Sequence, residues 1–224
     1  MNIKAVKAVC CCAVLALGAC TSSQVDPGDY SGFLKDYSQL KPEKSATGAP
    51  VMRWITADID PARYTQVYIE PSQFYPMPQP TAVVSSQALQ SISRYYDTAL
   101  KRELGKDLPL AQGPGPGTIV VRPAITAVYT STEGLQPYEI IPIALVAAAV
   151  NTAAGGRDQI VVIATELAFL DGDSKKIVGQ LVRKGSGTPL ENDATQLTLE
   201  DVKPVLDGWA TDMRMGYQKL VAKP

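Results

Sequence analysis

Apolar residues recur at every third or fourth position in two long segments of the chain. The first segment runs from Ser85 to Leu104 and is followed by Gly105, a residue type that is common just after the end of a helix. The second segment begins at a capping-box pattern, Thr198 to Asp201, and continues to Leu220. The stripes consist of Leu89, Ile92, Tyr96, Ala99 and Leu100 in the first segment and of Val202, Val205, Leu206, Trp209, Met213, Gly216 and Leu220 in the second. Both segments are therefore predicted to be amphipathic helices.

Four runs rich in β-branched and apolar residues predict strands. They comprise residues 64–71, 118–131, 159–170 and 177–184. The last two runs are joined through Asp171 and Gly172, a pair typical of a hairpin turn. The order of strands and helices predicts a single α+β domain. Its sheet is expected to be mixed and largely antiparallel, with about four strands covered by two or three helices.

The long run at residues 118–131 carries two further expectations. Ile119, Val121, Ile125 and Tyr129 are predicted to share one face, since side chains alternate along a strand. Pro123 interrupts the same run and predicts an edge position or a bulge, because proline cannot donate to the ladder of hydrogen bonds.

An apolar run from Ile140 to Val150 has no clear period. It is far shorter than the roughly 20 residues that a helix needs to span a bilayer. The favoured interpretation is a buried, alanine-rich helix, which would be the third helix of the domain. The alternative is a surface of small residues that contacts the membrane or a second copy of the chain.

Residues 1–19 have the layout of a bacterial signal peptide. Lys4 and Lys7 give a positively charged start, and residues 8–17 follow as an uncharged apolar run. That run is too short to cross a hydrocarbon core of roughly 30 Å as a helix. We therefore expect residues 1–19 to be removed from the mature protein.

The end of this segment resembles the lipobox of bacterial lipoproteins. Leu17, Gly18 and Ala19 precede Cys20, whose thiol would accept diacylglycerol and whose amino group would be acylated after cleavage. Two acyl chains already give a stable anchor, at about 0.8 kcal/mol per buried CH₂ group. Thr21 stands where enteric lipoproteins of the inner membrane commonly have aspartate. This resemblance predicts a protein anchored in the outer membrane on its periplasmic side, with the inner membrane less favoured.

Composition narrows the possible chemistry. Removing 19 of the 224 residues leaves 205, and removing two of the 21 basic residues leaves 19 against 22 acidic ones, so the mature charge is −3. That charge argues against nucleic-acid binding. The other three cysteines fall within residues 1–19, so the mature chain has neither a free thiol nor a disulfide. Histidine is absent altogether, which excludes Ser-His and Cys-His catalysis and zinc sites of the histidine type.

Three short motifs resemble binding patterns, and their context argues against each. The glycine-rich segment 113–117 contains prolines without N–H donors and lacks the lysine of a phosphate-binding loop. Asp58 and Asp60 are followed at once by proline, which indicates a loop. Asp171 and Asp173 lack the later ligands of a calcium loop. We therefore predict no catalytic residue, no metal site and no cofactor.

Five side chains are candidates for contacts or for the core. Glu166 could be half of a carboxylate pair, but the sequence names no partner, and a solvent-facing position on its strand is the favoured interpretation. Arg94 and Tyr95 are predicted to be exposed on the first helix, where a partner could contact them. Tyr96 and Trp209 lie on the apolar stripes and are predicted to be in the core.

The mature N-terminus is predicted to be a tether followed by a short packing segment. Residues 31–42 read Ser-Gly-Phe-Leu-x-Asp-Tyr-Ser-x-Leu-x-Pro, with Phe33, Leu34, Tyr37 and Leu40 at helical spacing. Residues 43–50 are predicted to be a loop. The tether and packing segment together span residues 20–50, and the globular α+β domain spans residues 51–224.

With these motifs placed, the chain resembles the bacterial lipoproteins classed as domain of unknown function 3313. The resemblance is carried by residues 31–42, 64–71, 115–126, 165–178 and 208–210. It implies an exported, lipidated α/β domain and brings no catalytic residue with it.

We therefore expect a periplasmic lipoprotein of the outer membrane that works without catalysis. Its predicted partners are the lipid bilayer, through the acyl chains of Cys20, and an envelope protein or glycan. The alternative is an envelope hydrolase or transferase that uses carboxylates, Ser, Lys or Tyr. Assembly into a homo-oligomer through Ile140 to Val150 is a third, weaker hypothesis.

Overall fold

A computed structural model describes residues 25–132 and 159–222. The predicted signal peptide, the lipobox with Cys20 and the apolar run from Ile140 to Val150 lie outside the described residues. None of the helices within residues 25–132 and 159–222 is both long and apolar enough to cross a membrane.

The described residues form one mixed, mostly antiparallel sheet with two long helices, which confirms the predicted fold class. The sheet has seven strands, more than the four expected. They are β1 (Lys41–Lys44), β2 (Pro50–Ile55), β3 (Gln66–Ile69), β4 (Gln73–Phe74), β5 (Thr118–Thr132), β6 (Gln159–Asp171) and β7 (Ile177–Ser186). Their spatial order is β1-β2-β7-β6-β5-β3, and β4 also pairs with β5. Only β3 and β4 run parallel to β5.

The first two strands take in both ends of the loop that was predicted at residues 43–50, and residues 45–49 connect them. β1 and β2 pair as an antiparallel hairpin, with Glu43 opposite Val51. Every residue of β1 is exposed, so the strand has no apolar alternation that could have predicted it. Its lysines and proline are residue types that protect a sheet edge from pairing with other chains.

The two predicted helices are α1 (Ser86–Leu104) and α2 (Leu199–Val221). Ser85 caps α1, where its hydroxyl accepts a hydrogen bond of 3.1 Å from the Ala88 amide. Asp201 closes the start of α2 by accepting from the Thr198 amide at 2.7 Å and from its hydroxyl at 2.8 Å. Gly105 does not adopt the left-handed conformation expected after a helix, because α1 ends in a right-handed turn there with φ of −65°.

Both helices lie on one face of the sheet and form the main core with it. Ile92, Tyr96 and Leu100 of α1 and Leu206 of α2 are completely or almost completely buried in this core. The prediction that Tyr96 belongs to the core is therefore confirmed. Trp209 is partly buried and packs against the same core.

The prediction that four residues of β5 share one face is partly wrong, because the strand contains a β-bulge. The pairing with β6 shifts between Ile125 and Ala127, so the alternation of side chains changes phase there. Val121 and Ile125 face the helices, whereas Tyr129 lies beyond the bulge and packs on the opposite face with Ala127. The predicted irregularity therefore exists, but it begins two residues after Pro123, which itself pairs with Leu167.

The second face of the sheet is covered by the chain that precedes β1. Leu34 and Leu40 of this stretch are buried against Met52, Val120 and Val182 of the sheet. The predicted packing of this segment is confirmed, and its apolar residues pack in this way without forming a helix. Gly32 and Lys35 have φ values of 89° and 63°, which a helix cannot contain.

Candidate ligand-binding site

An apolar cavity of about 120 Å³ lies between α2 and the helix-facing side of β2 and β7. Most of its lining is aliphatic or aromatic. The walls include Val51, Ile55, Val178, Leu181, Met213 and Tyr217. Partly exposed residues of its rim, among them Ser45 and Gly216, connect the cavity to solvent. Pockets of this composition are typical of sites for small ligands.

The loop between β1 and β2 forms one side of the rim and is fixed to α2. The carboxylate of Asp212 accepts hydrogen bonds from the Thr47 amide at 2.9 Å and from the Thr47 hydroxyl at 3.0 Å. Lys219 donates to the carbonyl of Ala46 at 2.8 Å. These contacts fix the middle of the loop, and with it this side of the entrance, to α2.

One guanidinium group interrupts the apolar lining. Arg183 of β7 is only 3% exposed, and its Nη1 donates to the Trp209 carbonyl at 3.3 Å and to Asp212 Oδ2 at 3.5 Å. Its Nε and Nη2 atoms are buried and have no hydrogen-bond partner within residues 25–132 and 159–222. Burial lowers the pKa of Arg183, although an arginine remains charged in a protein. A buried cation with unused donors therefore lines the cavity.

Two hydroxyl groups beside Arg183 are also buried. Thr165 of β6 is the cross-strand neighbour of Arg183, and its hydroxyl lies next to that of Tyr96 from α1. Both hydroxyls are buried, and neither has a partner among the described residues apart from the other. Burial raises the pKa of the Tyr96 phenol, and the positive charge of Arg183 offsets only part of that effect. Helix and sheet thus bring three buried polar side chains to one place.

Glu166 lies on the other face of β6, and the prediction that it faces solvent is wrong. The residue is completely buried. Its Oε1 accepts from the Ser31 amide at 2.8 Å, and its Oε2 accepts from the Tyr37 hydroxyl at 2.6 Å. A buried carboxylate needs such donors because the interior cannot solvate its charge. Its partners come from the segment that covers the second face.

The hydroxyl of Tyr37 is the centre of this arrangement. Besides donating to Glu166, it accepts from the amides of Gly32 at 2.7 Å and Leu34 at 3.3 Å. Burial, followed by the hydrogen bond to Glu166 and the charge of that carboxylate, raises the pKa of Tyr37 to about 12. Its ring stacks on Tyr30 with a centroid distance of 4.2 Å. Residues 31–37, which carry the most specific part of the family resemblance, are therefore ordered around one buried carboxylate.

The residues predicted as partner contacts lie on α1. Arg94 is exposed, and its Nε donates to the Gln90 carbonyl at 3.2 Å. Tyr95 is half-buried rather than exposed, and its hydroxyl donates to Asp207 of α2 at 2.6 Å. Tyr95 thus joins the two helices, whereas Arg94 remains accessible.

The motifs that were interpreted as loops occupy loops. Asp58 and Asp60 are exposed, and Asp60 caps the short 3₁₀ turn Pro61–Arg63. Asp171 accepts hydrogen bonds of 2.7 Å from both the amide and the hydroxyl of Ser174, which confirms the predicted hairpin connection. Within residues 25–132 and 159–222, no three Cys, Asp or Glu side chains come together as metal ligands would.

Sequence reasoning did not single out Arg183. The available signal was its place two residues after Leu181 in a predicted strand, which puts both side chains on one face. A charge on the core-facing side of a strand is unusual and points to a paired or ligand-binding group. Thr165 and Tyr96 carried no comparable signal, because a threonine in a strand and a tyrosine in a core are both ordinary.

Comparison with known proteins identifies relatives by sequence. The family model described as protein of unknown function (DUF3313) matches residues 29–213. Over 209 residues the chain is 39% identical to the uncharacterized lipoprotein YdcL of Escherichia coli (strain K12), covering 93% of this chain and 94% of the relative.

Comparison with solved structures gives more distant similarities. A PelC dodecamer from Paraburkholderia phytofirmans covers 73% of this chain and 96% of its own, with 10% identity and a TM-score of 0.39. Protein XCC0632 from Xanthomonas campestris covers 72% of this chain and 90% of its own, with 9% identity and a TM-score of 0.40. Both similarities are partial and lie at low sequence identity.

Proposed function

The chain belongs to the family described as protein of unknown function (DUF3313) and is a lipoprotein, and from this premise we propose that it is a lipid-anchored, non-enzymatic binding protein of the bacterial envelope. The observation that carries the proposal is the apolar cavity between α2 and the sheet. The charged groups in its lining support binding rather than catalysis. Arg183 and Asp212 pair with each other, and a guanidinium does not exchange a proton near neutral pH.

We assign the anchor to Cys20 and the location to the outer membrane. The supports are the lipobox that ends at Ala19 and the threonine at position 21. In cells fractionated by density, the wild-type chain should sediment with the outer membrane, and Cys20→Ser should not be lipidated or retained there. Thr21→Asp should move the protein to the inner membrane in an enteric host. Wild-type protein in the inner membrane would contradict the location, and membrane retention of Cys20→Ser would contradict the anchor.

Binding in the cavity can be measured with an intrinsic fluorophore. The chain has two tryptophans, and the Trp209 ring centroid lies 5.6 Å from the guanidinium carbon of Arg183. In the mature chain carrying Cys20→Ser and Trp54→Phe, Trp209 is the remaining reporter. Titration with octanoate or octanamide should give a saturable change in its emission.

A cavity-filling variant provides the decisive comparison. Gly216 lies in the lining, and a Cβ atom added there meets no other atom within 4 Å. Gly216→Leu should therefore fill the cavity without a clash and abolish the saturable change. Gly208→Leu is the matched control, since Gly208 is also unobstructed on α2 but does not line the cavity. A saturable signal that survives Gly216→Leu, or the absence of a signal for both ligands, would refute the proposed function.

A further inference from the structure

We propose that the cavity binds the methyl end of one unbranched hydrocarbon chain and leaves the polar head of that molecule in solvent. This inference rests on the proposed function, because it names the class of ligand for the same cavity. It is carried by the juxtaposition of an apolar lining, whose charged residues are paired within the protein, with an apolar rim that opens to solvent.

The charged residues of the lining already have partners. Among the described residues, Arg53, Arg183 and Asp212 are the charged ones that line the cavity. Arg53 pairs with Glu43, to which its Nε donates at 2.9 Å. Arg183 pairs with one oxygen of Asp212, and the other oxygen accepts from the amide and the hydroxyl of Thr47. These pairs leave no charge in the lining that a ligand would have to neutralise.

Other polar atoms near the cavity are buried or already bonded. Nε and Nη2 of Arg183 have almost no accessible surface, so a ligand in the cavity does not meet them. Tyr96 and Thr165, which lie beside this guanidinium, are not part of the lining. The hydroxyls of Ser45 and Tyr64, which do line the cavity, are hydrogen-bonded within the protein. Recognition is therefore expected through apolar contact, which discriminates by size and shape.

The wall along α2 combines free space with an adaptable side chain. Gly216 lies in the lining, and a Cβ atom added there would meet no other atom within 4 Å. Glycine is less favourable than alanine inside a helix, so space is left open here at a position where a larger residue would favour the helix. Met213, three positions earlier on the same face, has a flexible side chain that adjusts to irregular surfaces. Such a wall suits a hydrocarbon ligand.

The volume of the cavity limits how much of a ligand can be enclosed. An engineered apolar cavity of roughly 150 Å³ holds one benzene molecule, which has six carbon atoms. By this measure the cavity of about 120 Å³ has room for about five carbon atoms. A compact molecule much larger than benzene would not fit, whereas a chain can place one end inside and leave the rest outside.

The rim gives the rest of such a chain an apolar path to solvent. Ile59, Pro61 and Leu220 line the cavity and are half-buried, so part of their apolar surface is exposed at the entrance. Carbon atoms beyond the enclosed end can lie against these residues. The polar head then stays in water and keeps its solvation. An unbranched amphiphile therefore fits both the enclosed and the open part of the site.

The first test is a series of 1-alkanols from butanol to decanol, titrated at neutral pH with the Trp209 assay. Each CH₂ group that enters the cavity should tighten binding about fourfold, the ratio that corresponds to its transfer out of water. Beyond about five carbon atoms the gain per CH₂ group should fall to about twofold or less, because the added groups lie at the half-exposed rim.

Gly216→Ala tests whether the chain end occupies this cavity. The added methyl group takes the place of about one carbon atom of the ligand, so the fourfold gains should end about one carbon atom earlier in the series. Gly208→Ala is the matched control, because Gly208 is also unobstructed on α2 but lies outside the lining. It should leave the series unchanged.

The head group and the shape of the ligand give two further comparisons. Octanoate, octanamide and 1-octanol have chains of equal carbon number and different heads, and their affinities should agree within about threefold because the head stays in water. 1-Adamantanol and 1-decanol have the same number of carbon atoms, but adamantanol is a compact cage. It should not bind, whereas 1-decanol should.

Two lipids distinguish the sources of such a chain. Monooctanoyl- and dioctanoyl-phosphatidylcholine, used below their critical micelle concentrations, represent a single-chain amphiphile and a bilayer phospholipid. Binding of either lipid supports the inference and identifies the source. Binding of neither, in a protein that binds 1-octanol, would show that the head is not left in solvent and would overturn the inference.

Four other outcomes would also overturn it. They are affinities that do not depend on chain length, an unchanged series in Gly216→Ala, a preference of about tenfold or more for one head, and binding of 1-adamantanol as tight as that of 1-decanol. Each of these leaves the proposed function standing, because a ligand still binds. A lack of binding by both octanoate and octanamide would refute the proposed function itself.

Discussion

Replacing Tyr37 with phenylalanine tests whether the N-terminal segment is held by the buried Glu166. The substitution keeps the ring and its stacking on Tyr30, and it removes the hydroxyl that donates to Glu166 at 2.6 Å. Oε2 of Glu166 then loses its donor in a completely buried position. The amide of Leu34, a buried residue, loses its acceptor as well.

The magnitude follows from these contacts. A hydrogen bond to a charged group contributes about 1.5–3 kcal/mol, and leaving its partner unsatisfied places the cost toward the upper end. We therefore expect Tyr37→Phe to lower the free energy of unfolding by about 3 kcal/mol. For a chain of this length, roughly 2–4 °C per kcal/mol predicts a fall in melting temperature of roughly 6–12 °C.

Urea unfolding followed by circular dichroism measures the free energy, and a thermal scan measures the melting temperature. Tyr30→Phe is the matched control, because Tyr30 lies in the same segment and its hydroxyl makes no hydrogen bond to the described residues. Its change should stay within about 0.5 kcal/mol. If Tyr37→Phe and Tyr30→Phe had the same small effect, Glu166 would not depend on Tyr37, and the reasoning would be refuted.

Three further predictions concern the pH dependence of stability, the hydroxyl of Tyr96 and the packing around two glycines. The pKa of Tyr37 is about 12 in the folded chain and about 10 when the chain is unfolded. The contribution of Tyr37 to the free energy of unfolding is therefore complete below about pH 10 and is lost as pH rises toward 12. The difference in unfolding free energy between wild type and Tyr37→Phe should shrink over that interval, and a constant difference would contradict the shift in pKa. Tyr96→Phe removes a buried hydroxyl whose only partner among the described residues is the Thr165 hydroxyl, so it should change the free energy of unfolding in urea by no more than about 1 kcal/mol, whereas a larger loss would mean that the hydroxyl has another partner. Gly187→Ala would place Cβ 2.2 Å from the Asp201 carbonyl oxygen and should lower the melting temperature. Gly208→Ala on α2 meets no atom within 4 Å and should raise the free energy of unfolding by about 0.5–1 kcal/mol. Equal effects of the two substitutions would contradict the packing at position 187.

The elements with the longest regular patterns were predictable from the sequence. α1 and α2 begin and end close to the predicted residues, because an apolar stripe over five turns and a side-chain cap both act locally. The hairpin at Asp171 was predictable for the same reason. β1 was not, because its residues are all exposed and only pairing with β2 makes it a strand.

The candidate site depended on contacts between distant parts of the chain. Glu166 was expected to face solvent because the sequence named no partner for it, and its donors lie 129 and 135 positions away in the sequence. Arg183 meets Asp212 and Tyr96 only after both helices pack on the sheet. In β5, one bulge reverses the face of every later side chain, including Tyr129, and residue types alone gave only a general indication of it.

The N-terminal segment, residues 25–40, is part of the folded body. Its residues Leu34 and Leu40 cover Met52, Val120 and Val182 on the second face of the sheet. Each fully buried side chain of this kind contributes about 1.5–3 kcal/mol. Loss of the whole segment would therefore remove an amount comparable with the total stability of a domain, which is about 5–15 kcal/mol.

We predict accordingly that deletion of residues 25–40 leaves a chain that does not fold cooperatively. The exposed sheet face would be apolar and would also contain the carboxylate of Glu166 without its donors. Leu34→Ala, a milder change, should cost about 2–5 kcal/mol in urea unfolding, whereas Gln39→Ala at an exposed neighbouring position should cost little. A monomeric deletion variant with a cooperative transition near the wild-type temperature would show that the segment is only a tether, because the sheet would then be stable with its second face uncovered.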